Sequence, residues 1–467
     1  MDIKGFVKSH SGEMVRQIAR LVAIPSAGGP AQPGMPYGEG PTAALQEALA
    51  IASEMGFRTK NLDNYCGYAE IGKGEGLLGV LAHVDVVPAG DGWDTAPFEL
   101  VVKDGRMYGR GATDNKGPVI MGLYAMKALL DLGVEPQKRI RVIIGANEET
   151  GFKCMAHYQE VEEIFDYGFS PDSDFPLIYG EKGAHRGTLA ARLSSEGPVQ
   201  LRSIEGGSAI NVVASQCVAV LEGSDGALRH INEAFGQYAA SHGYGCASQF
   251  LNDGALELTS QGLPAHGSRP QEGLSAIAWI CDFLATQING CHFLETYNEL
   301  MGFDYTGGGF GIACGDEYGD LTLSNGLIYT GDDGKARFTY DIRSPITIPF
   351  NPLLEKIMDK CAALDVDMAV NTDAYFRESL FVDPDSEFIA ALKAAYAEVT
   401  GDSETKIKTT GGGTYARAFK NCVAYGPEMP GCEDGHNIHM ANEYLPIDVM
   451  ETATEVYVNA LIKLLEL

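Results

Sequence analysis

Five short segments of the chain place histidine or carboxylate side chains at or near the ends of apolar runs. In chain order these side chains are His83, Asp85, Asp114, Glu148, Glu149, Asp172 and His439. Imidazole nitrogens and carboxylate oxygens suit zinc or a similar divalent ion. Adjacent carboxylates at a partly buried strand end repel one another unless cations or protons compensate their charge. A hydrolase that activates water between two metal ions needs such ligands, together with a free carboxylate that moves the proton.

Each segment also has a structural interpretation when it is taken alone. A His-x-Asp sequence often forms only a structural hydrogen bond, and Asp114 could cap a following helix. The joint occurrence of two histidines and several carboxylates favours a metal centre. Asp174 lies close to Asp172, and His436 lies close to His439, so each is an alternative ligand of the same type.

Alternating strands and helices must position these segments. Apolar runs predict strands over 77–87, 139–149 and 422–426, and helical periodicity predicts helices over 12–23, 42–55, 117–132, 386–399 and 447–466. This alternation predicts an α/β fold with a mostly parallel sheet, in which ligands bind beyond the carboxyl ends of the strands. Asp85 follows His83 by two residues and so lies on the same side of an extended chain, where it can orient the imidazole.

The pattern changes between these two groups of α/β elements. A hairpin is predicted over 327–343 with Asp333-Gly334 in its turn, and a helix over 274–288. We therefore predict a discontinuous catalytic domain of residues 1–183 and 381–467, interrupted by an inserted α+β domain of residues 184–380.

Composition excludes several classes of protein. The 467 residues include 34 Lys and Arg against 63 Asp and Glu, which gives a net charge of −29 and disfavours nucleic acid and anionic membranes as partners. No apolar run approaches the roughly 18 residues that span a bilayer. The ten cysteines form no C-x-x-C pair, and the first residues lack an apolar signal core. These features predict a cytoplasmic protein with reduced thiols.

The order of the motifs resembles a known family. H-x-D at 83–85, G-x-x-D-x-K-G-P at 111–118, E-E at 148–149, P-D at 171–172 and H-x-x-N-E at 439–443 occur in the aminoacylase and carboxypeptidase-like di-zinc metallopeptidases. The segments PDSDFPLIYGEKG, AHGSRPQEG and GGGTYAR resemble the PepV-type dipeptidases within that family. The resemblance implies a di-zinc exopeptidase-like catalytic domain with a lid, and a cis peptide bond between Asp114 and Asn115.

The resemblance also implies a role for each residue. His83 and Asp172 would bind one metal ion, Glu149 and His439 the other, and Asp114 would bridge them, with Glu148 as general base and Asp85 orienting His83.

Three residues of the inserted domain would contact the substrate by the same resemblance. His266 would stabilise the oxyanion, Arg343 would bind the C-terminal carboxylate of the substrate, and Asn211 would assist. Without the resemblance, His266 is simply a loop histidine and Arg343 a solvent-facing residue on the polar face of a strand.

We therefore predict a monomeric, metal-dependent dipeptidase that uses two divalent ions, zinc first and manganese or cobalt as alternatives. A deacylase of small N-acyl amino acids would use the same metal centre. A non-catalytic protein that binds metal or amino acids is a further alternative, although it would not need Glu148.

Overall fold

The computed structural model describes residues 1–370 and 377–467. The chain divides into two compact units. The first unit consists of residues 1–181 and 380–467, and the second of residues 182–379.

The first unit alternates helices and strands. Its helices are Ile3–Val22, Glu39–Glu54, Lys116–Asp131, Lys153–Val161, Glu387–Thr400 and Ile447–Leu465, with short 3-10 helices at Tyr415–Ala418 and Gly435–Asn437. Its strands are Arg58–Leu62, Cys66–Ile71, Leu77–His83, Val101–Lys103, Arg106–Tyr108, Arg139–Gly145, Tyr167–Ser170, Ser173–Asp174, Ile178–Glu181, Leu380–Phe381, Lys408–Thr410, Cys422–Ala424, Pro427–Glu428 and Tyr444–Pro446.

Nine of these strands form one mixed sheet. Its order is Arg58–Leu62, Cys66–Ile71, Arg139–Gly145, Leu77–His83, Tyr167–Ser170, Cys422–Ala424, Ile178–Glu181 and Leu380–Phe381, with Lys408–Thr410 also paired to Ile178–Glu181. The four central strands, from Arg139–Gly145 to Cys422–Ala424, are parallel to one another. The two strands that flank them, Cys66–Ile71 and Ile178–Glu181, pair antiparallel to them, and Lys408–Thr410 is parallel to Ile178–Glu181. The predicted α/β class is confirmed, and the parallel part of the sheet is its centre.

The apolar sequences explain why this centre is buried. Every residue of Leu77–His83 is buried, as is typical of a parallel strand covered on both faces. The helix Lys116–Asp131 is apolar on nearly all sides, and it packs between Ile3–Val22 and Ile447–Leu465. A helix of this composition is stable only inside the protein, so it fixes the segment just before it, which contains Asp114.

The second unit has an α+β architecture. Its helices are Asp225–His242, Ala276–Gln287, His292–Leu300 and Asn351–Ala363, with a 3-10 helix at Pro270–Glu272. Its strands are Gly183–Arg192, Gln200–Gly206, Gln216–Glu222, Gly245–Phe250, Leu256–Gln261, Gly315–Asp316, Gly319–Asp320, Thr322–Ser324, Ile328–Thr330, Lys335–Ser344 and Asp367–Val370.

Among the described residues, the main sheet of this unit is antiparallel throughout. The predicted hairpin is present, because Ile328–Thr330 pairs with Lys335–Ser344 across the Asp333-Gly334 turn. The predicted helix over 274–288 is also present, and Ser275 caps it by accepting a hydrogen bond from the Ala278 N–H at 3.2 Å. In neither unit does the described part of the chain contain a helix long and apolar enough to span a bilayer.

Candidate functional site

The predicted metal ligands of the first unit lie at one edge of its sheet. His83 is the last residue of Leu77–His83 and lies beside Gly145, the last residue of the neighbouring parallel strand. Glu148 and Glu149 follow that neighbouring strand, and Asp172 follows Tyr167–Ser170 on the other side. Because the three strands run parallel, their carboxyl ends bring these side chains to the same edge.

Asp114 lies between the two histidines. Its Oδ1 is 3.0 Å from His83 Nε2, and its Oδ2 is 2.9 Å from His439 Nε2. His83 Nε2 is also 3.8 Å from Asp172 Oδ1, and His439 Nε2 is 3.2 Å from Glu149 Oε1. The side chains therefore form two groups of possible metal ligands that share Asp114, and within each group the ligand atoms lie within 4.8 Å of one another.

Two buried atoms in these groups make no well-aligned hydrogen bond to any described residue. They are His83 Nε2 and Glu149 Oε1, and each faces other possible ligand atoms. A buried polar atom without a partner is unfavourable unless a ligand satisfies it. The donor set and these two atoms therefore fit a pair of divalent cations.

Burial and mutual repulsion raise the pKa values of the two glutamates. Burial, and then the charge of Asp172, raise the pKa of Glu148 well above its usual range. Burial, and then the charge of Asp114, raise the pKa of Glu149 to about 7. Without cations, this concentration of negative charge is unfavourable.

The two histidines offset part of that charge when they are protonated. Burial alone lowers the pKa of His83, but the neighbouring carboxylates of Asp114 and Asp172 outweigh it, so the pKa lies well above the usual value. The pKa of His439 rises to about 11 because Asp114 and Glu149 outweigh the effect of burial. Metal ions that bind here would replace protons on both rings.

Asp85 has a different contact from the one predicted. Its backbone carbonyl, not its carboxylate, makes the hydrogen bond with His83 Nδ1, at 2.9 Å, while the nearest carboxylate oxygen is 3.5 Å away. The carboxylate instead accepts the backbone N–H groups of Glu148 at 3.0 Å and of Glu149 at 3.1 Å. Asp85 therefore orients His83 through its main chain and positions the glutamate pair through its side chain.

The segment that carries Asp114 is held by Glu443. The buried Glu443 carboxylate accepts the backbone N–H groups of Gly111, Thr113 and Asp114 at 3.0–3.1 Å, and it pairs with buried Arg110 at 2.7 Å. Asp114 is not a helix cap, because the residue at the cap position is Asn115. The peptide bond between Asp114 and Asn115 is cis, as the resemblance implies.

Sequence reasoning assigned no role to two other residues that contact this site. Asn115 Nδ2 donates to Asp172 Oδ1 at 2.9 Å and to the carbonyl of Pro171 at 2.8 Å. These two hydrogen bonds position the carboxylate of Asp172. The ring of Tyr415 lies edge-on to His83, with 6.0 Å between the ring centroids. Tyr415 belongs to the GGGTYAR segment quoted above, whereas Asn115 occupies an unspecified position of G-x-x-D-x-K-G-P and was named only for its peptide bond with Asp114. Their contacts depend on the fold.

The second unit brings its three predicted site residues into one neighbourhood. His266 pairs with Val212 in an isolated bridge, and the following N–H, from Gly267, donates to the Asn211 carbonyl at 2.7 Å. Gly267 packs so closely that a Cβ there would lie 2.9 Å from an oxygen of Asp341. A larger residue at this point would therefore have to displace Asp341 or its neighbours beside His266.

Arg343 is buried and paired with a carboxylate, so the solvent-facing interpretation is wrong. Its guanidinium donates to Asp341 Oδ2 at 3.0 Å, and Arg186 Nε lies 3.4 Å from the same oxygen. His266 is exposed, and its pKa falls to about 4 because its ring is partly desolvated and because Arg343 is near. Asp341 and Arg186 were not predicted as members of this cluster.

Comparison with known proteins assigns the family. The profile of peptidase family M20/M25/M40 matches residues 79–463, and the chain therefore belongs to this family.

The similarity to known relatives extends over nearly the whole chain. A Staphylococcus haemolyticus protein named "Putative dipeptidase" is 34% identical over 471 residues, which cover 98% of each chain. A Bacillus subtilis protein named "Putative dipeptidase YtjP" is 34% identical over 444 residues, which cover 93% of each. The crystal structure of human carnosine dipeptidase 1 has the same fold, with a TM-score of 0.61 and 17% identity over 100% of this chain and 99% of that one.

Proposed function

We propose that this peptidase hydrolyses dipeptides with two divalent metal ions. The observation that carries the proposal is the pair of ligand groups that share Asp114, with the half-buried Glu148 beside them but in neither group. The names of the two bacterial relatives support dipeptides as the substrate class.

We assign His83 and Asp172 to one ion, Glu149 and His439 to the other, and Asp114 to both. The imidazole and carboxylate ligands suit zinc, with manganese or cobalt as alternatives. Together with Glu148, the three ligand carboxylates carry four negative charges, which balance the four positive charges of two divalent ions. Asp85 belongs to neither ligand group, and its carboxylate accepts the backbone N–H groups of residues 148 and 149 instead.

Glu148 is the proposed general base and acid. When bound, the two ions polarise the peptide carbonyl and make the attacking water more acidic. Glu148 accepts the proton of that water and then delivers it to the leaving amine. The hydrogen bond from its own N–H to Asp85 fixes its backbone, so the carboxylate keeps one position for both transfers.

The unit of residues 182–379 is the proposed lid, and the unit of residues 1–181 and 380–467 the proposed catalytic domain. In this assignment His266 stabilises the oxyanion, Arg343 binds the substrate carboxylate and Asn211 assists them. The low pKa of His266 supports the first role, because a neutral imidazole is available as an N–H donor at physiological pH. Asp341 fixes the Arg343 guanidinium, so the fork is already oriented for a carboxylate.

We also propose a cytoplasmic, monomeric protein. All ten cysteines are free thiols and seven of them are buried, which is typical of a reducing compartment. The net charge of −29 opposes self-association. Light scattering of the pure protein tests the monomer, and mixing inactive His266→Ala and Glu148→Gln variants tests whether two chains share a site. Activity regained after subunit exchange would refute the monomer.

The activity is tested with protein stripped of metal and reloaded separately with zinc, manganese or cobalt. The substrates are a library of free dipeptides and a matched set of N-acetyl amino acids. We expect turnover of dipeptides only with metal present. Faster cleavage of the N-acetyl compounds would identify a deacylase instead. If neither set is turned over, the remaining interpretation is a non-catalytic protein that binds metal or amino acids.

A further inference from the structure

A second cluster of possible metal ligands lies in the first unit, apart from the metal centre described above. Glu428, Cys432 and His436 bring a carboxylate oxygen, a thiol sulfur and an imidazole nitrogen within 4.8 Å of one another. Glu428 ends the strand Pro427–Glu428, and the other two residues lie on the segment that follows it. We propose that these three residues bind one additional zinc ion.

The geometry of the cluster supports a ligand between its side chains. His436 is 3% exposed, and its Nδ1 lies 3.4 Å from Glu428 Oε1. Both of these atoms are buried, and neither has a hydrogen-bond partner in the part of the chain that the structure describes. Two ligands on a tetrahedral zinc ion, with bonds of about 2.0–2.1 Å, lie roughly 3.3–3.5 Å apart. The observed separation therefore fits two bonds to one ion.

The chemistry of the three ligands favours zinc. A thiolate together with imidazole and carboxylate suits zinc, whereas magnesium, calcium and manganese prefer oxygen ligands. The Cys432 thiol is part-exposed, so the proton that zinc binding displaces from it can pass to solvent. A water molecule would complete the coordination.

The carboxylate of Asp174 adds negative charge beside Glu428, and Lys408, whose Nζ lies 3.1 Å from Asp174 Oδ2, offsets only part of it. Asp174 lies opposite Glu428 in the parallel pairing of their strands. Burial, and then the charge of Asp174, raise the pKa of Glu428 to about 7. Asp174 and His436 are the two residues that the sequence offered as alternatives to the chosen ligands Asp172 and His439. Neither lies in the two groups around Asp114, and both lie beside Glu428.

The position of this cluster gives the ion a structural role. His436 lies three residues before His439, and both residues have left-handed backbone conformations, with φ of 51° and 64°. Such conformations are uncommon outside glycine and persist only where surrounding contacts hold them. The segment is otherwise held by Asp434, which accepts hydrogen bonds from the Tyr444 hydroxyl at 2.8 Å and from the His436 N–H at 3.2 Å. An ion on His436 would fix the turn that presents His439.

Cobalt(II) distinguishes this site from the catalytic one. The proposed catalytic ligands offer only nitrogen and oxygen, so a thiolate-to-cobalt charge-transfer band in the near ultraviolet must come from a cysteine. We expect this band in the full chain titrated with cobalt(II), and we expect it to disappear in Cys432→Ser. The matched control is Cys246→Ser, which removes an exposed thiol from the other unit and should retain the band.

Zinc content gives an independent measurement. Cys432→Ser and Glu428→Gln should each bind one zinc ion fewer per chain than the wild type and Cys246→Ser. This difference of one zinc ion per chain does not depend on which metal the catalytic centre binds. It also does not depend on whether the protein cleaves dipeptides, so it tests the new site separately from the proposed function. The absence of a thiolate band in the cobalt-saturated wild type, or equal zinc contents in all four proteins, would overturn the proposal.

Discussion

Replacing Glu148 by glutamine should separate proton transfer from metal binding. The side chain belongs to neither ligand group, and the hydrogen bond from the residue 148 N–H to Asp85 involves only the main chain. The variant therefore keeps its metal ligands and loses only the carboxylate. Loss of a general acid–base residue typically reduces the rate by about 10²–10⁴-fold, or about 2.7–5.4 kcal/mol in the barrier. Because one carboxylate serves both transfers, we expect the upper part of this range.

The same substitution should stabilise the metal-free protein. The pKa of Glu148 is raised in the folded state, so the ionised form is disfavoured by folding. The resulting penalty begins as the pH rises above about 4.5 and grows by at most about 1.4 kcal/mol per pH unit until the folded-state pKa is reached. Glutamine removes this penalty. The metal-free variant should therefore unfold at a higher temperature than the metal-free wild type at pH 8, and the two should converge near pH 4.

Three measurements test this reasoning: kcat, metal content and the unfolding temperature after chelation. Glu149→Gln is the contrasting variant, since it removes a ligand and should lose metal. Glu160→Gln is the matched control, because Glu160 is exposed on the helix Lys153–Val161 and should change nothing. Near-normal turnover in Glu148→Gln would exclude the residue as the base, and loss of metal from that variant would mean that it is a ligand.

The remaining predictions concern the shared ligand, the metals and the substrate carboxylate. Asp114→Asn should weaken the binding of both metal ions, whereas Asp172→Asn should weaken the binding of only one. Metal titrations by calorimetry measure both affinities, and equal losses of affinity in the two variants would mean that Asp114 does not bridge the ions. Chelation should lower the unfolding temperature of the wild type, since the ions stabilise the folded state in proportion to their affinity; an unchanged temperature would argue against resident metals. Amidating the C-terminus of a dipeptide should reduce kcat/KM by the equivalent of about 2–5 kcal/mol. In Arg343→Lys this penalty should shrink, and an equal penalty in both proteins would assign the carboxylate to another residue.

The main elements of the fold could be predicted because their sequence patterns are long and agree with their environments. The helix Lys116–Asp131 and the strand Leu77–His83 differ from the predicted bounds by no more than four residues. Both are apolar on nearly every side and can be stable only in the interior. The convergence of the ligands also followed from the sequence, because parallel strands bring their carboxyl ends to one edge.

Contacts that depend on main-chain geometry or on burial of both faces could not be predicted. Alternation along Lys335–Ser344 predicted a polar, solvent-facing side, but both Asp341 and Arg343 are buried and pair with each other. Spacing predicted that Asp85 would face His83, but the course of the backbone after the strand decides which oxygen of Asp85 accepts the bond. The separation of His436 from His439 likewise depends on the turn between them.

The order of synthesis along the chain limits when the metal centre can form. The strand Cys422–Ala424 lies inside the sheet, between Tyr167–Ser170 and Ile178–Glu181. These two neighbouring strands are synthesised before the second unit, and Cys422–Ala424 is synthesised after it. Until that strand emerges from the ribosome, the backbone groups of Tyr167–Ser170 that pair with it have no partner strand. Until His439 emerges, Asp114 has only one of its two histidine neighbours. A fragment that ends before residue 380 therefore leaves a parallel strand exposed to aggregation and lacks ligands for the second ion. The complete set of proposed ligands for both ions is thus available only after the last part of the first unit, which follows the second unit in the chain, has been synthesised.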